Sequence, residues 1–163
     1  TQQFGTPTSE GDFINKVDSA PYVSNGPSNI HLSLSHSNGF ICFIISPYPV
    51  GIDIENTSKQ RNYSELASLF MSDKEQDELN ICTDTKLANK FYRIWCAKEA
   101  YFKADAQASL ADIKDISILP FLQNNTSWQL IEHKSENFLL SIVAKNKPQP
   151  VVTHWFQVKQ PLM

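Results

Sequence analysis

Five glycines in 163 residues leave no Gly-rich phosphate loop, and neither GxGxxG, Walker A nor GxSxG occurs. The dinucleotide, P-loop and serine-hydrolase chemistries built on those motifs are therefore excluded. Long apolar runs are missing too. The longest, Phe40 to Ile45, has six residues, whereas a membrane-spanning helix needs about 20, so no membrane crossing is expected. Three cysteines, Cys42, Cys82 and Cys96, form no CxxC pair and are odd in number, which argues against a zinc ribbon or a disulfide framework. They read as reduced, buried thiols of a cytoplasmic protein. Positive charge is in deficit, with 14 Lys and Arg against 17 Asp and Glu and a net charge of −3. Binding to nucleic acid through summed positive charge is not expected. The N-terminus has no basic segment followed by an apolar one, so it does not read as a secretory signal.

What the chain does have is enough apolar substance for a core, 41% hydrophobic residues including 18 aromatics, at a length that fits one domain. Residues 1–29 are rich in Gly, Pro, Ser, Thr and Asn and read as a loop-rich segment with one short element around Phe13 to Val17. Residues 30–163 read as the folded domain. Ile30, Leu32 and Leu34 alternate with polar residues, Asn38-Gly39 follows, and Phe40 to Ile45 comes next, the pattern of a hairpin with a tight turn. Val50 to Glu55 reads as a third strand, with Val50, Ile52 and Ile54 on one face and Gly51, Asp53 and Glu55 on the other. Helical spacing begins at Leu66, Leu69 and Phe70. Ser72-Asp73-Lys74-Glu75 has the form of a capping box opening a second helix through Leu79. Leu87, Phe91, Ile94, Trp95, Ala97, Tyr101 and Phe102 keep a 3.6 period over about twenty residues, the longest helix. Strands are expected at Ile116 to Leu119, Trp128 to His133, Phe138 to Ala144 and Val151 to Val158, closing in an antiparallel meander. The fold class is α+β, antiparallel sheets packed on a long central helix.

Several residues could carry chemistry. Asp53 and Glu55, two apart on a strand, share a face with Cα atoms about 6.5 Å from each other, so both carboxylates can reach one small hard cation. They could equally be the wet face of an edge strand. Glu99 and Lys103 form an i,i+4 pair that stabilises an exposed helix. Alternatively, Glu99 completes a carboxylate trio while Lys98 and Lys103 face an anion. Lys86, Lys90, Arg93, Lys98 and Lys103 put five of the 14 cations into eighteen residues, which reads as one basic patch. His36, at the hairpin tip between Ser35 and Ser37, reads as a solvated histidine or, with the hydroxyls and turn amides, as a phosphate holder. His31, His133 and His154 have no metal-ligand spacing.

Taken together, three segments resemble one family. Leu32-Ser33-Leu34-Ser35-His36-Ser37, Val50-Gly51-Ile52-Asp53-Ile54-Glu55 and Trp95-Cys96-Ala97-Lys98-Glu99-Ala100-Tyr101-Phe102-Lys103 resemble, in order, the LSHS, VGIDIE and WxxKEAxxK signatures of the 4′-phosphopantetheinyl transferases. Phe70-Met71-Ser72 with Glu75 resembles the FFSxxE segment between the last two. Because LSHS precedes GIDIE, the chain resembles the surfactin-synthetase-activating (Sfp) type, over residues 19–119, with a shortened N-terminal half. The Gly-Lys-Pro expected before LSHS reads Ser19-Ala20-Pro21, with Lys16 as a substitute cation. The Gly-x-Gly-Leu expected after the lysine helix reads Ala106-Gln107-Ala108-Ser109-Leu110.

The resemblance implies transfer of the phosphopantetheine arm of coenzyme A to a serine of an apo acyl or peptidyl carrier protein, releasing 3′,5′-ADP. Asp53, Glu55 and Glu99 would hold Mg²⁺, with Mn²⁺ as the alternative. Glu99 would be the general base and Lys103 would pair with the pyrophosphate. Ser35 and His36, with Lys98 and Lys103, would contact the phosphates of the coenzyme. The carrier surface is expected on residues 64–80, through Leu66, Leu69 and Met71 with Lys74 and Arg61 nearby. A monomer is expected. The competing readings are a non-catalytic coenzyme A-binding or scaffold relative, and a chain that needs a second subunit.

Overall fold

The computed structural model describes residues 13–14, 22–24, 30–105, 113–122 and 127–145. The strand expected at Val151 to Val158, His154, the Lys16 and Ser19–Pro21 positions and Ala106–Leu110 lie outside the described residues. In the N-terminal segment, β1 (Phe13–Ile14) pairs antiparallel with β2 (Tyr22–Val23).

The hairpin forms as its sequence dictates. β3 (His31–Ser37) pairs antiparallel with β4 (Phe40–Ser46), Ser37 opposite Phe40. Asn38 and Gly39 both have positive φ, 48° and 84°, the conformation a two-residue turn needs and Asn-Gly tolerates best. β5 (Val50–Asn56) is an edge of an antiparallel three-stranded sheet, order β5–β7–β6, with β6 at Trp128–Lys134 and β7 at Phe138–Lys145. Val50, Ile52 and Ile54 pack with Leu140, Ile142 and Ala144 of β7, and Phe40, Cys42 and Ile44 of β4 lean on that layer. The opposite face of the sheet receives the long helix.

Among the described residues four helices stand between β5 and β6, three of them in direct succession after β5. Asn62 caps α1 (Tyr63–Phe70) by accepting the Glu65 N–H at 3.3 Å. α2 (Asp73–Asn80) begins at the expected box, where Glu75 reaches back to the Ser72 N–H at 2.8 Å. α3 (Asp84–Ala104) runs 21 residues, with Asp84 in its first turn and Lys103 in its last, both favourable to the helix dipole. Its small residues Ala97, Ala100 and Ala104 meet Val143 of the sheet, while Phe91, Tyr92 and Ile94 pack with Met71, Leu79 and Leu139. Closest approach is at Gly51, where an added Cβ would lie 1.9 Å from the carbonyl oxygen of Ala100 and 2.7 Å from the nitrogen of Ala104. Both neighbours are backbone and cannot swing aside. Gly51→Ala should therefore destabilise by about 1–3 kcal/mol, the usual penalty of overpacking, read as a lower urea midpoint at unchanged slope; an unchanged midpoint would contradict this contact.

One expected strand is absent. Ile116 to Ile118 is non-repetitive chain leading into the short helix α4 (Leu119–Leu122). Pro120 sits in its first turn, where proline's fixed φ and missing donor suit a helix start, and the Ile118 N–H is taken by a side chain, Glu75, at 2.6 Å. The apolar run is buried by that anchor rather than by a ladder.

Candidate functional site

β3 does not join the three-stranded sheet through its backbone. The hydroxyls of Ser33, Ser35 and Ser37, every second residue, accept the N–H groups of Ile52, Ile54 and Asn56 at 3.1, 3.2 and 3.2 Å. A parallel ladder of serines thus satisfies the outward donors of an edge strand, groups that burial would otherwise leave costly. It also fixes where Asp53, between Ile52 and Ile54, meets the hairpin.

Asp53 is the centre of the site. It is 5% exposed. Its Oδ1 accepts from the Ser35 hydroxyl and from the Lys103 ammonium, both at 2.7 Å. Its Oδ2 is buried with no hydrogen-bond partner. Glu55 sits two residues on, where Oε1 accepts the Trp95 indole N–H at 3.0 Å and Oε2 the Arg61 guanidinium at 3.4 Å. The Trp95 ring is stacked on Phe91 and met edge-on by Phe70, which holds the indole donor in place. Arg61 also donates to the Tyr92 hydroxyl at 3.3 Å, and that hydroxyl donates to the Lys59 carbonyl at 2.6 Å. Glu99 projects from α3 into the same electrostatic neighbourhood. Burial, and then the charges of Asp53 and Glu55, push its carboxyl above the usual range, with Lys103 pulling the other way.

The structure thus groups Asp53, Glu55, Glu99 and Lys103 through their electrostatics and contacts. The ammonium of Lys103 closes on Asp53 of β5 instead of serving as half of an exposed helix pair. Three expectations are corrected. Ser35 is buried and spends its only hydroxyl hydrogen on Asp53, so it supports a carboxylate rather than offering that donor to a phosphate. Lys98 is 1% exposed and paired with Glu75 at 2.5 Å. It is an interior lysine and does not face an anion. Finally, four of the five cations of the basic patch are neutralised, because Lys90, Arg93, Lys98 and Lys103 each hold an acid, Glu78, Glu132, Glu75 and Asp53 in turn. His36 is exposed on the face of β3 away from Asp53, cross-strand from Ile41. It is not brought to the carboxylates.

Whether the acids suit a metal can be tested on the side chains themselves. Among the described residues no three His, Cys, Asp or Glu side chains stand ready to hold one ion between them. The donor set nevertheless suits a hard cation, being all oxygen, and the bare buried Oδ2 of Asp53 is the kind of group that needs a partner. Glu55 would have to exchange Trp95 and Arg61 to join it. The residues fit a divalent cation on that condition.

Glu75, Arg61 and Trp95 were not assigned to the site from sequence. Glu75 reads from sequence as a capping residue and as the acid of the FFSxxE resemblance, and nothing local marks its second partner 23 residues on. The alternating serines 33, 35 and 37 were the legible clue to the ladder.

An acid-bearing edge strand, crossed closely by a helix carrying Glu99 and Lys103 and steadied by a serine hairpin, defines an α+β protein with an acid–cation site. The family model described as the 4′-phosphopantetheinyl transferase superfamily matches residues 49–153, and the chain belongs to that superfamily. Among its relatives, the 4′-phosphopantetheinyl transferase HetI of Nostoc sp. is 31% identical over 124 residues, 72% of this chain and 52% of the relative. The 4′-phosphopantetheinyl transferase gsp of Aneurinibacillus migulanus is 34% identical over 76 residues, 47% of this chain and 31% of the relative. Sfp of Bacillus subtilis, also a 4′-phosphopantetheinyl transferase, is 23% identical over 139 residues, 85% and 61% of the two chains. The chain spans about half the length of the curated relatives it matches.

Proposed function

We propose that this protein transfers the phosphopantetheine arm of coenzyme A to a serine hydroxyl of an apo acyl or peptidyl carrier protein and releases 3′,5′-ADP. The observation that carries the reading is the bare, buried Oδ2 of Asp53 beside Glu55, Glu99 and Lys103, on a chain whose superfamily is named for this transfer. Asp53, Glu55 and Glu99 would hold Mg²⁺, or Mn²⁺, whose oxygen preference is the same. Bound there, the ion supplies charge neutralisation to the diphosphate.

The chain's own groups do the rest. Glu99, whose carboxyl is pushed above the usual range by burial and by neighbouring acids, is a stronger base for that shift. It takes the carrier serine's proton as the new bond from serine oxygen to phosphorus forms and the bond to the departing 3′,5′-ADP breaks. Lys103 moves its charge from Asp53 to the leaving diphosphate. His36, exposed at the hairpin, contacts a phosphate of the nucleotide end. The carrier docks against α1 and the start of α2, where Leu69 and Lys74 are exposed; Met71, expected there too, is fully buried and belongs to the core.

A second reading rests on Glu55, whose carboxylate is held by Trp95 and Arg61 rather than left open beside Asp53. With its acids so engaged, the protein would bind coenzyme A without turnover or work with a second polypeptide. Intact mass after incubation with coenzyme A, Mg²⁺ and a panel of apo carriers separates these, with light scattering to size the protein. One phosphopantetheine gained, and lost with chelator, is the expected result. Coenzyme binding without transfer would favour the second reading, and neither binding nor transfer would overturn both.

A further inference from the structure

Ser33, Ser35 and Ser37 make the same bond to the β5 backbone, yet Ser35 alone also touches an acid. Its hydroxyl accepts the Ile54 N–H at 3.2 Å and donates its one hydrogen to Asp53 Oδ1 at 2.7 Å. Lys103 occupies the same oxygen. With Oδ1 engaged twice, the carboxylate plane is pinned and Oδ2 is its only unclaimed acceptor. The hairpin therefore does more than cover an edge.

We propose that Ser35 is a positioning residue for cation binding, which aims Asp53 Oδ2 by anchoring Oδ1 to a ladder of serines set in register on β5. The proposal rests on the metal reading above and assigns Ser35 to a carboxylate, not to the coenzyme. Hydrogen-bond partners of ligating carboxylates commonly change metal affinity 10- to 100-fold when removed. Ser33 and Ser37 provide internal controls, because Ser33→Ala and Ser37→Ala each lose one backbone acceptor and leave Asp53 untouched.

The test is direct Mn²⁺ binding, followed by the electron paramagnetic resonance of the free ion, on the full chain without coenzyme or carrier. Ser35→Ala should raise the dissociation constant roughly 10-fold or more, with Ser33→Ala and Ser37→Ala at the parent value. All three should lose thermal stability, Ser35→Ala the most because it gives up the Asp53 bond as well, and a purely structural role for Ser35 would move melting but not Mn²⁺. Equal affinity of Ser35→Ala and the two controls would overturn the positioning role and leave the metal reading standing. Absence of Mn²⁺ binding by the parent protein would overturn both. If Ser35→Ala fails to melt cooperatively, Ser35→Cys carries the test, since a thiol is a weaker donor of similar shape: weaker Mn²⁺ binding than the parent supports the role, and parental binding overturns it.

Discussion

Glu99→Gln should fold, melt above the parent protein at neutral pH, and transfer phosphopantetheine roughly 10²- to 10⁴-fold more slowly, the range general bases supply. The two effects have one origin. Burial and the charges of Asp53 and Glu55 raise the folded pKa of Glu99 above its unfolded value, so the native state binds a proton more readily than the unfolded chain. Stability from this group is then fully present below the unfolded pKa, near the ordinary carboxylate value, and falls as pH rises through the window up to the folded pKa. Above that window the ionised carboxylate is a standing cost. Glutamine removes the cost together with the base. The melting advantage of Glu99→Gln should accordingly shrink as pH is lowered through the same window. Scanning calorimetry across that range, paired with the mass assay, checks both halves. Parental transfer by the variant would remove Glu99 from the reaction, and a lower melting temperature at neutral pH would contradict its electrostatic setting.

The second large effect belongs to Glu75 and Lys98. Glu75 is wholly buried, yet it is fully engaged: Oε2 takes the Ser72 N–H at 2.8 Å and the Lys98 ammonium at 2.5 Å, and Oε1 takes the Ile118 N–H at 2.6 Å. One carboxylate therefore joins the start of α2, the middle of α3 and the chain entering α4. Burial lowers the Lys98 pKa, against the upward pull of Glu75. Glu75→Ala strips all three partners at once and should cost about 3–5 kcal/mol, the measured scale for breaking a buried pair from one side. Lys98→Met should cost less, because the carboxylate keeps two backbone donors and the new side chain fills the space. Urea unfolding of the two variants gives the order. A loss below about 1 kcal/mol for Glu75→Ala would mean that water reaches the pair.

Local chemistry made much of the fold legible. Asn38-Gly39 can take two positive φ angles in succession, so the hairpin and its register follow. The 3.6 period from Leu87 to Phe102 runs long enough to exclude other readings, and α3 has the expected extent. Alternation placed Asp53 and Glu55 on one face. The failures share a different cause, since each depended on a partner distant in sequence. Ile118 looked like part of a strand because its apolar neighbours suit one, but Glu75 captured its backbone donor. Lys98 looked like an anion ligand because it sits in a run of cations, and only the packing of α2 on α3 shows that it points inward. The run itself looked like a patch until Glu78, Glu132, Glu75 and Asp53 were found opposite four of its five members. Ser35 looked like a phosphate contact because it neighbours His36 at the hairpin, but its hydroxyl hydrogen goes to Asp53, eighteen residues on.

The seam between α3 and β5 also carries its own reporter. Cys96, fully buried on α3, donates its thiol hydrogen to the Asp53 carbonyl at 3.3 Å and the Leu139 carbonyl at 3.5 Å. Burial first, and then the charge of Asp53, push its pKa well above the ordinary thiol value. Cys42 on the hairpin is pushed up to about 11 by burial and the same carboxylate, while Cys82 lies half-buried in the turn after α2, its thiol donating to the Glu78 carbonyl. Because only thiolates are alkylated, Cys42 reports the parting of the hairpin and the fully buried Cys96 the separation of helix from strand. Alkylation of Cys96 thus reports the opening of the very seam that brings Glu99 to Asp53, as the population of the open form when the seam recloses faster than the reagent reacts and as the opening rate when the reagent is faster, readable without substrate, metal or a single substitution.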